Sequence, residues 1–503
     1  MPQRHPARFL VHTNALILVV LAAWFFLAPP AIVLWDLTDP SLRRPGVPRA
    51  AVRLFRRLTP RYERWARQRL ESDRAAALST ENISGTEWPL FGSVFYLWSV
   101  ESLQQAWEQD TTVMSVAPRD YGRPAVDAAT RLVIDPVQAS WVIEHWGEDY
   151  LRDENVFYRM LVIAALTAHA DLTGSEEHLP LLRDQVEGLS AELGASPHGL
   201  LDDYPGECYP ADVLTAIACI RRADAVLGTD HSAFVQRAVR GFQGECLDKH
   251  GLVPYAADPR SGKALGPSRG CGNSYASLSA PALWPVRAQQ WYDLYEEHFW
   301  QTRWAAAGFR EFPNDVEQRD WHMDVDSGPV LAGFGVSACA YGVGAARANG
   351  RFDHAYPLSV EMLVASWPLP NGTLALPRLL SNAADAPYLG EAAILFNLTR
   401  TPVGTVEVTA GGAIPPVVYL LLALGVAAGL LLIVAALLSI RRWNREQPRS
   451  RVPHPALQVL VWVALLIAAA GCLVLERPAP GMLCLLAMQF LPRLRRRETE
   501  SAA

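Results

Sequence analysis

The chain has 503 residues, half of them apolar, and a net charge of −6. That mild acidic balance, with no basic domain, excludes nucleic acid as an expected partner. The apolar excess is concentrated in a few uninterrupted runs, the pattern of membrane-crossing segments.

The first run, Leu10 to Trp35, is long enough to span a bilayer and carries Pro29-Pro30 in its late part. No small-x-small cleavage site follows it, so it reads as an anchor rather than a removed leader. Arg43 to Arg74 is heavily basic and by itself would favour a cytoplasmic domain after the first run; the alternative reading is a basic amphipathic helix lying along anionic headgroups. Three further apolar runs close the chain: Val417 to Ile440, Ala456 to Leu475, and the shorter Gly481 to Leu491. Arg441, Arg442, Arg445, Arg449 and Arg451 lie between the second and third runs, and Arg493, Arg495, Arg496 and Arg497 follow the fourth. Glu476-Arg477-Pro478, between the third and fourth, is nearly neutral. The positive-inside rule puts both basic segments in the cytoplasm and the region between the first two runs outside it. Expected residence is therefore the inner membrane, multi-pass, with a periplasmic domain and membrane lipids as neighbours.

From 82 to 410 apolar residues recur at three- and four-residue spacing, as in Ala125–His145, Asn155–Leu172, Ala211–Leu227, Ala282–Trp304 and Val336–Asn349. Paired helices without βαβ alternation predict an all-α domain, an (α/α)6 toroid whose loops gather over a central cavity. The expected divisions are an anchor (1–36), a basic juxtamembrane segment (37–81), the toroid (82–410) and a C-terminal membrane region (411–503). Tyr255 to Lys263 is turn-rich and reads as a short hairpin or lobe.

Three acidic loops at helix starts are the candidate chemistry. In Gly199 to Cys219, Asp203, Tyr204, Glu207, Cys208, Tyr209 and Asp212 crowd around Pro205, Gly206 and Pro210. A helix dipole there favours anions and lowers a thiol's pKa; the competing reading is that the acids cap the helix and Pro-Gly makes a turn. The second loop holds Trp321, His322, Asp324 and Asp326, where Asp326-Ser-Gly-Pro reads as a turn opening a helix with Asp326 at its N-cap. The third is Tyr388-Leu-Gly-Glu391. Trp88, Tyr96, Trp98 and Trp141 would add apolar walls or simply pack as core. No HxxxH or CxxC spacing occurs, so neither a metal nor another cofactor is expected. Five cysteines fall in the domain (Cys208, Cys219, Cys246, Cys271, Cys339), an odd number that leaves at least one thiol free.

The ordered series Asn155-Val-Phe-Tyr-Arg-Met to Asp171-Leu-Thr-Gly-Ser, Cys208-Tyr-Pro-Ala-Asp, Leu227-Gly-Thr-Asp, Tyr255 to Gly262, and Asp326-Ser-Gly-Pro with Gly342 to Asn349 resembles the linalool dehydratase/isomerase family. The resemblance covers roughly Trp88 to Leu398. It implies an α/α toroid acting on a monoterpene alcohol in the periplasm, with two cysteines, an aspartate, a histidine and tyrosines around an apolar pocket. Cys208 matches the first cysteine and Tyr96 a pocket tyrosine. The second cysteine falls on Ile217, with Cys219 half a turn on; the histidine falls on Leu161 and the aspartate near Leu90. The family's ring-shaped assembly implies a homo-oligomer as one possible state.

Three functions compete. One is a membrane-tethered lyase or isomerase of a hydrophobic, isoprenoid-like alcohol, using Cys208 with Glu207, Asp212 or Asp326 as acid and base and Tyr96 in the pocket. Another is a glycan hydrolase or lyase with paired carboxylates drawn from Asp203, Asp212, Asp326 and Glu391. The last is a non-catalytic envelope protein that binds a ligand or partner.

Overall fold

The structure, a computed structural model, describes residues 4–316, 320–404, 406–446, 450–451, 453–474, 478–493 and 495–496. The Glu476-Arg477 connection, Arg449 and Arg497 lie outside them. The chain forms two compact units, one of residues 1–32 with 420–503 and one of 33–419.

In the first unit the N-terminal helix Arg4–Leu21 runs into a π-helical turn, Ala22–Leu27. The C-terminal helices are Pro416–Glu446, Pro455–Val474 and the eleven-residue Pro478–Met488. Asn14, almost fully buried, ties three of these together. Its amide donates to the carbonyls of Met488 (2.9 Å) and Leu491 (2.7 Å), and its oxygen accepts from Trp462 Nε1 at 2.7 Å. A polar side chain buried among apolar helices is satisfied only by such interhelical bonds. Leu10 packs with Trp462 and Met488, and Ala15 and Leu18 pack with Ala436. Leu424, Leu431, Leu460 and Ile467 face outward.

Among the described residues three helices are long and apolar enough to cross a membrane: Arg8–Leu37, Val156–Thr173 and Pro416–Arg445. In Val156–Thr173, however, 78% of the apolar window is buried inside the protein, against 33% and 22% in the other two. That helix is apolar because it is enclosed by protein on all sides.

The second unit is mostly helical. Six helices, Trp88–Gln109, Val156–Thr173, Pro210–Leu227, Gly270–Leu283, Val336–Ala348 and Leu389–Thr399, each pack against the next, and the last packs against the first. Arg49–Leu70, Pro118–Ile134, Leu179–Ala195, Pro285–Phe299 and Phe352–Ser366 back them. The helix expected over Ala125–His145 is two, Pro118–Ile134 and Ser140–Trp146, because Pro136 disfavours helix at Asp135. The one expected over Ala282–Trp304 ends at Phe299, where Trp300–Arg303 pairs as a strand with Ala306–Phe309.

The basic segment after the anchor lies inside this unit. Its helix Arg49–Leu70 buries Leu54, Phe55, Leu58, Tyr62 and Ala66 and packs on Pro118–Ile134 and Leu389–Thr399. Four of its arginines meet partners within the unit: Arg53 on Asp36, Arg61 on Thr373 Oγ1, Arg69 on Gln138, Arg74 on Asp385.

A candidate acid–base site

Two candidate acids stand at the starts of helices in this series and a third in a nearby hairpin. Glu87 immediately precedes Trp88–Gln109. It closes the short helix Ile83–Thr86, whose N-cap Asn82 accepts from the Gly85 N–H at 3.2 Å. Asp212 stands in the first turn after Pro210. Asp326 occupies the turn between the antiparallel strands Trp321–Asp324 and Gly328–Leu331.

Asp326 is therefore not a helix N-cap, as expected, but part of a hairpin. Asp324 accepts from the Ser327 N–H and hydroxyl, both at 2.8 Å, and Gly328 adopts φ +61°. The helix starts only at Val336, after a third strand at Phe334–Gly335.

The Gly199–Asp212 acids divide between two roles. Asp202 accepts from the Gly206 N–H (2.8 Å) and Asp203 from the Tyr209 N–H (2.6 Å), so both shape the loop, as in the capping reading. Burial, and then Asp212, push Asp203 well above the carboxylate range. Glu207 is exposed and accepts from the Tyr209 hydroxyl at 2.7 Å. Asp212 is different. Burial, then Asp326 and Glu87, push it up to about 7.

Glu87, 6% exposed, is pushed up to about 7 by burial, and Asp326 adds to it while the Tyr204 hydroxyl opposes it. Tyr204 donates to Glu87 Oε2 at 2.6 Å, and Tyr255 donates to Asp326. The three carboxyls thus face one another electrostatically, and two hold values near neutrality. Half-buried Phe91 stacks edge-on to Phe157 (5.7 Å) and Tyr275 (5.8 Å), and Tyr275 lies 5.4 Å from Tyr341. Asp212 acts electrostatically on Tyr275, and Asp212 and Asp326 on Tyr341, so this aromatic cluster neighbours the carboxyls.

Beside it, Arg269 lies over the Tyr255 ring at 4.7 Å. It pairs with Glu311 (2.8 Å) and Asp324 (2.7 Å). The Cys271 thiol donates to Glu311 at 3.1 Å. Burial raises Asp324, but Ser327 and Arg269 outweigh it and hold the carboxylate at about 2. His322 meets the same Asp324 at 2.9 Å. Asp324 and His322 therefore anchor the hairpin that carries Asp326. Trp321 on the same strand is 74% exposed.

Cys208 does not meet the expectation of an activated thiol. It is 1% exposed. Burial above all, then Asp203, Asp202, Asp212 and Glu154, push its thiol up rather than down. All seven cysteines are free.

Three expected residues lie elsewhere. Tyr96 is fully buried on the outer side of its helix, stacked on Tyr62 at 4.5 Å and donating to Thr59 Oγ1 at 3.0 Å. Tyr388 packs on Trp65 and Tyr62, with Arg378 at 3.6 Å over its ring. Glu391 is buried; desolvation raises it to about 7 against the pull of Arg378 and Arg61. The residues missing from the sequence reading are Glu87, Tyr255, Tyr275, Tyr341 and Arg269. Glu87 had a readable signal, an acid beside Trp-Pro at a helix start, as Asp212 follows Pro210. Among the described residues no group of three His, Cys, Asp or Glu is placed to hold a metal ion.

No protein-family model and no curated protein matches the chain.

Proposed function

We propose that this chain is a membrane-tethered acid–base enzyme, a lyase or isomerase of a hydrophobic alcohol, in an (α/α)6 toroid similar to the linalool dehydratase/isomerase family. The cyclic order of helix contacts supports the toroid. One observation carries the activity: Glu87 and Asp212, at the starts of two helices of the ring, act on one another electrostatically and are both pushed up to about 7. Near that value a carboxyl exchanges protons readily in either direction. Asp212, pressed by burial and two other carboxylates, is the proton-holding acid. Glu87, whose ionised form the Tyr204 hydroxyl stabilises, is the base. Asp212 delivers its proton to the substrate hydroxyl and the C–O bond breaks with water leaving. Glu87 takes a proton from the adjacent carbon, and that C–H electron pair becomes the new double bond. The neighbouring cluster of Phe91, Phe157, Tyr275 and Tyr341 suits an apolar carbon skeleton.

The proposed site is extracytoplasmic, reached from an inner-membrane anchor. The arginines after the first span bear on this. Most serve internal contacts, so they weigh less as topology signals than those at the C-terminal end.

A glycan-active enzyme is the second reading. The exposed Asp326 with half-buried Tyr209 and Tyr255, and Trp321 standing clear of the fold, favour it. The test incubates the detergent-purified chain with terpene alcohols and, separately, with oligosaccharides, following products by chromatography. Alkene formation, lost about 100-fold in Glu87→Gln and Asp212→Asn, supports the lyase. Release of reducing sugar with the same losses replaces it with the glycan reading. Turnover that ignores both substitutions refutes the site.

A further inference from the structure

A second feature of the helical unit shares no residue with the carboxyl site. A cleft of about 590 Å³ is lined by Trp35, Arg49, Arg53, Arg56, Arg57 and Tyr121. Arg49, Arg53, Arg56 and Arg57 fall at three- to four-residue spacing and so share one side of their helix. Asp36, fully buried, takes Arg53 through both of its oxygens. Asp39 takes Arg49, at 3.5 Å. Arg56 and Arg57 are exposed, and no carboxylate pairs with either among the described residues. The cleft therefore holds four guanidiniums against two carboxylates, with the surplus at Arg56 and Arg57.

Its other wall is Trp35, 54% exposed, with the Arg49 guanidinium 4.3 Å above its ring. Trp35 sits within three residues of the end of the apolar segment Arg8–Leu37. A tryptophan at the end of a span belongs at headgroup depth. Val47, Val52 and Val113 complete the lining with apolar surface.

We propose that this cleft binds a phosphate group, carried either by an anionic phospholipid headgroup or by a soluble phosphate ester. Arginine forks match phosphate oxygens in pairs, and the ion pairs to Asp36 and Asp39 hold Arg53 and Arg49 in place. Arg56 and Arg57 then supply the uncompensated charge that draws in the anion.

The experiment uses the full-length protein in detergent, with native mass spectrometry to follow retained ligand. It is titrated with phosphatidylglycerol, phosphatidylcholine and glycerol phosphate. Phosphatidylglycerol retained over phosphatidylcholine assigns a headgroup, and glycerol phosphate retained without lipid preference assigns a soluble ester. In either case Arg56→Gln/Arg57→Gln weakens binding by about 30-fold, as two arginines at an anionic surface imply, while Arg56→Lys/Arg57→Lys retains most of it. An unchanged thermal midpoint in the Gln variant separates this loss from unfolding. Equal retention of both lipids without glycerol phosphate binding, or undiminished binding in the Gln variant, overturns the proposal.

Discussion

Tyr204 donates its hydroxyl to Glu87 Oε2 at 2.6 Å, joining residues 117 positions apart. One lies in the loop before the third helix of the series and the other at the start of the first. The bond therefore fixes that loop against the start of the first helix, and it bears on how readily the Glu87 carboxyl gives up its proton.

Removing that hydroxyl has two expected effects. Tyr204→Phe leaves a buried carboxyl short of a donor, which costs about 2 kcal/mol of stability. It also raises Glu87 further, since the bond opposes the upward push of burial. Thermal unfolding at pH 7 reads the first effect, and a carboxyl infrared band titrated from pH 5 to 9 reads the second. A variant with the wild-type midpoint and band would show that the bond does not form in solution.

Acid–base linkage gives the next expectation. Asp212 moves from an ordinary 3.8 to about 7 on folding. Between those values the native state holds a proton that the unfolded chain has released, so stability falls as pH rises through the window. Glu87, from 4.5 to about 7, acts in the same direction. Asp212→Asn cannot ionise, so its melting temperature declines less steeply from pH 4 to 7. Parallel curves for the two proteins would exclude the shift.

The thiol is expected to be a bystander. Burial, reinforced by the neighbouring acids, keeps the Cys208 thiol protonated, so iodoacetamide at pH 8 modifies it slowly in the native protein and rapidly in denaturant. Cys208→Ser keeps turnover within about tenfold of wild type, in contrast to the two carboxyl variants. Rapid native alkylation at Cys208 would restore the thiol mechanism.

Gly270 offers a structural control next to the site. A Cβ there would lie 2.0 Å from the Arg310 carbonyl oxygen and 2.9 Å from the Ala338 methyl. The Gly270 N–H also donates to the Glu311 carbonyl at 2.8 Å, which sets Cys271 beside the Glu311 carboxylate. Gly270→Ala forces backbone apart and costs about 3 kcal/mol, read as a lower denaturation midpoint. A variant as stable as wild type would mean that this approach is looser than drawn.

Helical content, the apolar runs and Asp212 were legible in the sequence because each depends on local pattern. The choice of inward face was not. Phe91 and Phe95 point to the helices across the interior, while Tyr96, one residue and about 100° further round, turns outward to Thr59 and Tyr62. Amphipathicity cannot separate those faces when both are buried, as they are in Trp88–Gln109. Glu87 went unread for the same reason: its partners Tyr204, Asp212 and Asp326 come from distant loops. Asp326 was read at a helix N-cap, but Gly328 and the pairing of Asp324 with Ser327 made its surroundings a hairpin.

Val156–Thr173 bears on how the chain is sorted as it is made. A translocation channel meets a segment with the length of a span and a hydropathy of 1.2, well below the 2.5 and 2.9 of the flanking candidates. What sets it apart from them is its polar minority, which is paired within the protein. Arg159 is satisfied by Glu192 and Gln185, and His169 by Asp127. Lipid has no such partners to offer an arginine. The residue that ties this helix to its neighbours is thus also the one that would be costliest to place in a bilayer.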